Sequence, residues 1–335
     1  MNKRERVQAA LRGEVVDRVP VSLWGHFYDR EHSAEELAAS MVAWQRTYDW
    51  DFLKVQARAS YHGEVWGARY GRSPDGVSPP PCLEPVLRRP EDWQNIDVRP
   101  PDEGVLGEQL AALRLIRQAL PAEVPVIQTV FAPLTVAYYL CGQDEVRLRQ
   151  LLLADRQAAK QGLHAIAKTF QAHLPLCLEA GADGFFYSLS LGPTRDFLSP
   201  ETYAELVRDA DLAVLAALPA DVPLLMLHIC RAPIVFELVQ DYPVHCFNWS
   251  VLAAGNPSLV EVLRRTDKAV AGGLPEKQAM VETTPEALRA RVRAVVQETG
   301  GRRLLLAGGC SQFLPRVPPA HFWAVKEALS ELSVA

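Results

Sequence analysis

Eight short runs rich in β-branched and aromatic residues recur along this 335-residue chain, and each is followed by a stretch with helical spacing. The runs are residues 19–24, 52–56, 124–130, 184–189, 223–230, 244–249, 268–272 and 303–307, with helical stretches at 34–48, 107–120, 144–180, 200–218, 232–240, 257–265, 284–298 and 319–332. Strands that alternate with helices over the whole length build a parallel sheet covered by helices, and eight such units close into a (β/α)8 TIM barrel. A doubly wound dinucleotide fold would require a Gly-X-Gly-X-X-Gly turn after the first strand, where the chain reads Trp24-Gly-His-Phe-Tyr-Asp-Arg30. The whole of 1–335 is therefore read as one barrel domain.

Two features decorate that barrel. Asn2 with Glu5 three residues on forms a capping-box pattern, and Val7, Ala10 and Leu11 give the N-terminal helix one apolar face. After the second strand, residues 57–106 read as an insertion or lid, because eight prolines fall between positions 74 and 101 and exclude a helix there. With 49% hydrophobic residues, a net charge of -5 and 35 basic against 40 acidic side chains, the chain has no basic stripe for nucleic acid. No apolar run approaches the ~20 residues of a membrane span and no signal-peptide core follows the first charges, so a cytoplasmic location is expected. Six scattered cysteines suit reduced thiols or metal ligands better than a disulfide framework.

The sharpest local signal is Leu224-Leu-Met-Leu-His-Ile-Cys230. Alternate strand residues share a face, so His228 and Cys230 point the same way while Leu225, Leu227 and Ile229 turn toward the helices. Both polar residues stand at the carboxyl end of the strand, where barrel enzymes place their chemistry. Cys310, after Ala307-Gly-Gly at the end of the last strand, reaches the same rim. Each alone reads more readily as a core residue. Together, one imidazole and two thiolates suit zinc and leave a fourth position open. Cys246 and His245 are adjacent in a strand, so at most one of them points inward.

At these residues the chain resembles the uroporphyrinogen decarboxylase superfamily, through Arg4-Glu-Arg-Val-Gln-Ala-Ala-Leu-Arg-Gly-Glu14, Asp17-Arg-Val-Pro-Val21, Glu179-Ala-Gly-Ala-Asp183, Asn256-Pro257, Ala271-Gly-Gly-Leu274 and Ala307-Gly-Gly-Cys310. Within it, His228, Cys230 and Cys310 resemble the His-X-Cys and distant Cys of the zinc-dependent methyltransferases that move a methyl group from a corrinoid to a thiol such as coenzyme M. Arg231 stands where that branch usually has glycine. The resemblance implies a barrel, zinc held by these three residues, a methylcorrinoid donor carried by a partner protein, a small thiol acceptor and a homodimer. The decarboxylase branch instead carries Pro-Val-Trp-X-Met-Arg-Gln-Ala-Gly-Arg after the first strand, and both of its arginines are missing from Pro20-Val-Ser-Leu-Trp-Gly-His-Phe-Tyr-Asp-Arg30. Uroporphyrinogen decarboxylation, or a noncatalytic barrel that binds a tetrapyrrole or corrinoid, is the alternative. Further polar residues near predicted strand ends, His26, Gln128, Tyr187 and Asn248, with Tyr61 and Glu64 after the second strand, are candidates to position a substrate.

Overall fold

In the computed structural model, which describes residues 1–332, the chain forms nine strands: β1 (Leu53–Val55), β2 (Arg69–Tyr70), β3 (Cys82–Glu84), β4 (Val126–Phe131), β5 (Gly184–Leu189), β6 (Leu224–Ile229), β7 (Cys246–Trp249), β8 (Ala269–Leu274) and β9 (Leu304–Gly308). Seven of them make one curled parallel sheet in the order β1-β4-β5-β6-β7-β8-β9, and helices cover it. This is a TIM-barrel-like fold with seven ladder strands where eight were expected.

The eighth place is taken by residues 19–24 without a ladder of their own. On one side Val21 bridges Leu306, with Ser22 N donating to Leu306 O (3.1 Å) and Leu306 N to Pro20 O (2.8 Å). On the other side Asp51 N donates to Val21 O (3.0 Å) and Ser22 Oγ to Phe52 O (2.7 Å). A ladder fails here for a local reason. Pro20 has no N–H to give, and Val21 N donates to the Asp51 carboxylate (2.8 Å) instead of a strand carbonyl. That carboxylate is fully buried and also accepts from Arg6 Nη1 (2.8 Å), Arg18 Nη1 (2.6 Å) and Arg18 Nη2 (2.9 Å). An ionic clasp thus closes the barrel where backbone pairing stops.

The helix Lys3–Leu11 has the expected capping box, with Glu5 N on Asn2 Oδ1 and Asn2 N on Glu5 Oε2, both 2.9 Å. Its Val7, Ala9 and Ala10 pack with Leu224, Met226, Ala269 and Leu305 and plug the amino end of the barrel. Each fully buried Leu or Val contributes about 1.5–3 kcal/mol. With one end plugged by apolar packing, the interior opens, among the described residues, at the carboxyl ends of the strands.

Several helices depart from expectation. The stretch 144–180 is two helices, Glu145–Ala154 and Arg156–Glu179, because Asp155 leaves helical geometry and caps the second through Ala158 N (2.9 Å). The stretch 200–218 likewise divides into Pro200–Leu206 and Arg208–Ala216. The helix expected over 232–240 shrinks to a single turn at Phe236–Leu238. Residues before it stay extended to pair with the loop after β5, through the Thr194–Ile234 bridge and Val235 N on Pro193 O (2.7 Å). Helices at Pro133–Leu140 and Lys277–Glu282 were not foreseen.

Within 57–106 the chain makes a short helix Tyr61–Glu64, the antiparallel β2–β3 ribbon and a 3-10 turn at Pro90–Asn95. Buried Trp93 anchors that excursion against Gly162, where any Cβ would meet the indole at 2.6 Å. No helix among the described residues is long and apolar enough to cross a membrane.

Candidate metal centre

His228 lies on the inward face of β6, Cys230 one residue past its end and Cys310 two residues past β9. The ligand atoms of the three lie within 4.8 Å of one another. Backbone constraints bring them together. Cys230 N donates to Leu189 O (2.8 Å), tying the end of β6 to β5. Arg231 then turns at φ 78°, the left-handed region that favours glycine, and is held by an ion pair to Glu145 and by Tyr138 Oη at 3.5 Å. Before Cys310 the chain passes so close to β7 that a Cβ on Gly309 would sit 2.3 Å from Ser250 Cα and 2.5 Å from Glu276 Oε2. Only glycine fits there.

Asn248, the inward residue of the neighbouring β7, sets the histidine's tautomer. Its Nδ2 donates to Ala271 O (2.9 Å) and Gly308 O (3.0 Å), so its Oδ1 must be the atom 2.7 Å from His228 Nδ1. An amide oxygen can only accept a hydrogen bond, which places the ring N–H on Nδ1 and leaves the Nε2 lone pair for the cysteines' side. The thiols share their charge unevenly. A hydrogen bond from Cys230, with His228 and Lys277 nearby, holds the Cys310 thiol well below its ordinary range, while that same bond and burial push Cys230 up. Glu276 adds an unforeseen carboxyl. Its Oε2 is buried without a hydrogen-bond partner, and burial, then the Cys310 charge, raises its pKa.

These groups open into a cavity of about 380 Å³ at the carboxyl ends of the strands, walled by Trp24, Tyr28, Phe131, Tyr139 and Phe186 and closed on one side by Gly76, Val77 and Pro79 of the excursion. Phe186 stacks on His228 with ring centres 4.9 Å apart. His26 reaches this cavity, as does Lys54, which is 2% exposed and lies on the inward face of β1 with Gln56 beyond it.

A family comparison places the chain: the uroporphyrinogen decarboxylase (URO-D) family model matches residues 2–332. The chain belongs to the uroporphyrinogen decarboxylase family. Similar curated proteins include the methylcobamide:CoM methyltransferases MtbA of Methanosarcina acetivorans and Methanosarcina mazei, 22% and 24% identical over 152 residues. Those matches cover 42% of this chain and 44% of either relative, less than half the length of each. Among solved structures, a methyltransferase from Methanosarcina mazei superposes with a TM-score of 0.82 at 18% identity over 99% of both chains. A putative vitamin-B12 independent methionine synthase from Listeria monocytogenes reaches 0.56 at 14% identity, over 89% of this chain and 87% of its own. Both share the barrel.

The remaining candidate residues of this URO-D barrel lie elsewhere. Gln128 and Tyr187 are buried on the outward faces of β4 and β5, since Thr129, Phe186 and Ser188 are the residues that line the cavity. Tyr61 is buried behind the site and donates to Thr129 O (3.0 Å). Glu64 pairs with Arg58 (3.0 Å), away from the cavity. Asn248 stands behind His228 as its orienting partner.

Tyr187 belongs to a different cluster, in which Tyr203 Oη (2.8 Å), Tyr242 Oη (3.0 Å) and Tyr187 Oη (3.4 Å) converge on the fully buried Asp211 carboxylate. Burial pushes this carboxyl up to about 7 from an ordinary 3.8. A carboxyl that ionises later in the folded chain than in the unfolded one stabilises fully below the lower value and loses that contribution as pH rises to the upper one. Urea midpoints are therefore expected to fall between about pH 4 and 7. Asp211→Asn flattens that slope; equal slopes in both proteins would refute the assignment.

Proposed function

We propose that this protein transfers a methyl group from a protein-bound methylcorrinoid to a thiol acceptor held at a zinc ion by His228, Cys230 and Cys310. The observation that carries the reading is the convergence of those three ligand atoms within 4.8 Å, with the imidazole tautomer already set by Asn248. The residues fit the metal on their own chemistry. One nitrogen and two sulfur donors make a borderline-soft set, and the orphaned Glu276 Oε2 is the buried oxygen a nearby cation would satisfy. The MtbA relatives, named for methylcobamide and CoM, support the same donor and acceptor classes.

When bound, zinc supplies Lewis acidity that keeps an incoming thiol ionised near neutral pH. The protein's residues do the rest. His228 and the two cysteines fix where the acceptor sulfur sits, and the aromatic wall keeps water from it. The excursion residues Gly76, Val77 and Pro79 shield the cavity flank. With a methylcorrinoid at the mouth, the acceptor sulfur placed by His228, Cys230 and Cys310 would take its methyl group, and the electron pair of the former cobalt–carbon bond would remain on the corrinoid. Uroporphyrinogen decarboxylation is poorly supported, because no arginine lines the cavity among the described residues. A substrate with eight carboxylates calls for bidentate arginine pairs.

Incubation with free methylcobalamin and a panel of thiols tests the reading, following loss of the methyl–cobalt absorbance and thioether formation by mass spectrometry. Demethylation dependent on zinc and on thiol is expected; conversion of uroporphyrinogen to coproporphyrinogen without it would overturn the proposal. Asn248→Ala frees the imidazole to take either tautomer, and is expected to weaken zinc binding by about 10- to 100-fold in chelator competition.

A further inference from the structure

Two lysines line this cavity: Lys277 faces the Cys310 charge, whereas Lys54 is left unexplained by the metal site. Its Nζ lies 4.3 Å from the Phe186 ring centre, one phenyl ring away from His228. Among the described residues its hydrogen-bond partner is Gln56 Oε1, so its other N–H groups face the cavity without an acceptor. A chain of side chains holds it there. Because Gln56 Oε1 accepts from Lys54, Gln56 Nε2 is the atom that meets His26 Nε2 at 2.7 Å. The His26 proton then sits on Nδ1, 3.0 Å from the buried Glu31 carboxylate. Each donor in that line points toward Glu31, an arrangement that favours positive charge at its Lys54 end. Burial outweighs that help and lowers the Lys54 amine to about 7, so an acid group placed against it in the cavity is the partner that would keep it charged.

The cavity also has a size. A two-carbon acid thiol has about seven non-hydrogen atoms, each taking no more than a water molecule's share of the liquid, about 30 Å³, so it fills at most about 200 Å³. The cavity offers about 380 Å³, much of it against Trp24, Tyr28, Phe131, Tyr139 and Phe186. Small-molecule sites are filled by ligands that bury most of their surface, so a short acid would leave the aromatic wall uncovered.

We infer that the acceptor is an acid-bearing thiol with an aromatic or comparably bulky apolar body, its acid group held by Lys54 and its sulfur at the metal ligands. This rests on the reading of His228, Cys230 and Cys310 as a thiol-binding metal site. Lys54 is the specificity-determining residue, and Glu31, His26 and Gln56 position it.

The cobalt-substituted full-length protein provides a test in which no methyl transfer is needed, since thiolate ligation changes the visible Co²⁺ spectrum. Titration with 4-(mercaptomethyl)benzoate, 4-(mercaptomethyl)benzenesulfonate, the neutral 4-methylbenzyl thiol, 2-mercaptoethanesulfonate and 3-mercaptopropionate separates charge, size and the type of acid. At least one aromatic acid is expected to bind 10-fold or more tightly than the neutral thiol and than either short acid. Lys54→Met brings the aromatic acids to the affinity of the neutral thiol measured on the same variant, and an unchanged circular dichroism spectrum with cobalt still bound reports that the variant is folded. Short acids that match the aromatic ones, or an acid preference that survives Lys54→Met, would overturn the inference. A cobalt spectrum that no thiol perturbs would instead defeat the metal-site reading beneath it.

Discussion

One zinc per chain is expected in the purified protein, and none above about a tenth of that in the triple variant His228→Ala, Cys230→Ala, Cys310→Ala. Single changes are expected to act strongly as well. A three-ligand site loses a quarter or more of its coordination shell with each ligand, while the two thiolates and the imidazole together account for its preference for a borderline metal. The expected loss of thiol methylation is at least about 10³-fold, since Lewis-acid stabilisation is worth several kcal/mol and each 1.4 kcal/mol is tenfold. Elemental analysis of wild type and variants checks the metal, and the methylcobalamin assay checks the rate. A wild-type protein with no affinity for zinc would return all three residues to the status of core packing.

The largest effect on stability is expected at Asp51. Its carboxylate is fully buried and receives Arg6, Arg18 and the Val21 N–H. Asp51→Ala leaves the guanidinium of Arg6, only 9% exposed, without that partner and removes the acceptor that stands in for a strand carbonyl. Breaking a buried pair from one side costs about 3–5 kcal/mol. Arg6 retains Asp17, at 2.7 Å through two nitrogens, which sets the expectation toward the lower end of that range. Urea unfolding with an unchanged m-value and a lowered midpoint is the expected result; a change under about 1 kcal/mol would show that the clasp contributes little to closing the barrel.

The parts of the site that were legible in the sequence share a physical reason. In 224–230 polarity appears only at His228 and Cys230, two residues apart, so the strand's two-residue period assigns them to one face. The run 124–130 carries Gln128 and Thr129 side by side, so polarity marks both faces at once. Strands of a parallel barrel are buried on both faces, by side chains within and helices without, so the apolar residues around them do not tell inward from outward. Gln128 and Tyr187, chosen for nearness to strand ends, fell on the outward side. Lys54 was within reach of the same argument, since Phe52, Lys54 and Gln56 alternate with Leu53 and Val55 and lysine is depleted in strands. Glu276 was not, because its place beside Cys310 depends on how closely the chain at Gly309 passes β7 and β8, which no local pattern records. The count of eight strands failed at residues 19–24 for a similar reason. Val21 is strand-like in composition, and its N–H is taken by a carboxylate 30 residues away.

That closure makes the wall of the barrel unequal around its circumference. Six joints are continuous ladders, whereas the place where residues 19–24 meet β1 has two backbone-linked contacts and a carboxylate in their stead. Amide protons along this seam are expected to exchange with solvent sooner than those of β5 or β6. The segment leads to His26, across the barrel from the ladder-bound His228. The wall beside His26 therefore rests on side-chain charge, whereas the wall that carries His228 rests on main-chain hydrogen bonds.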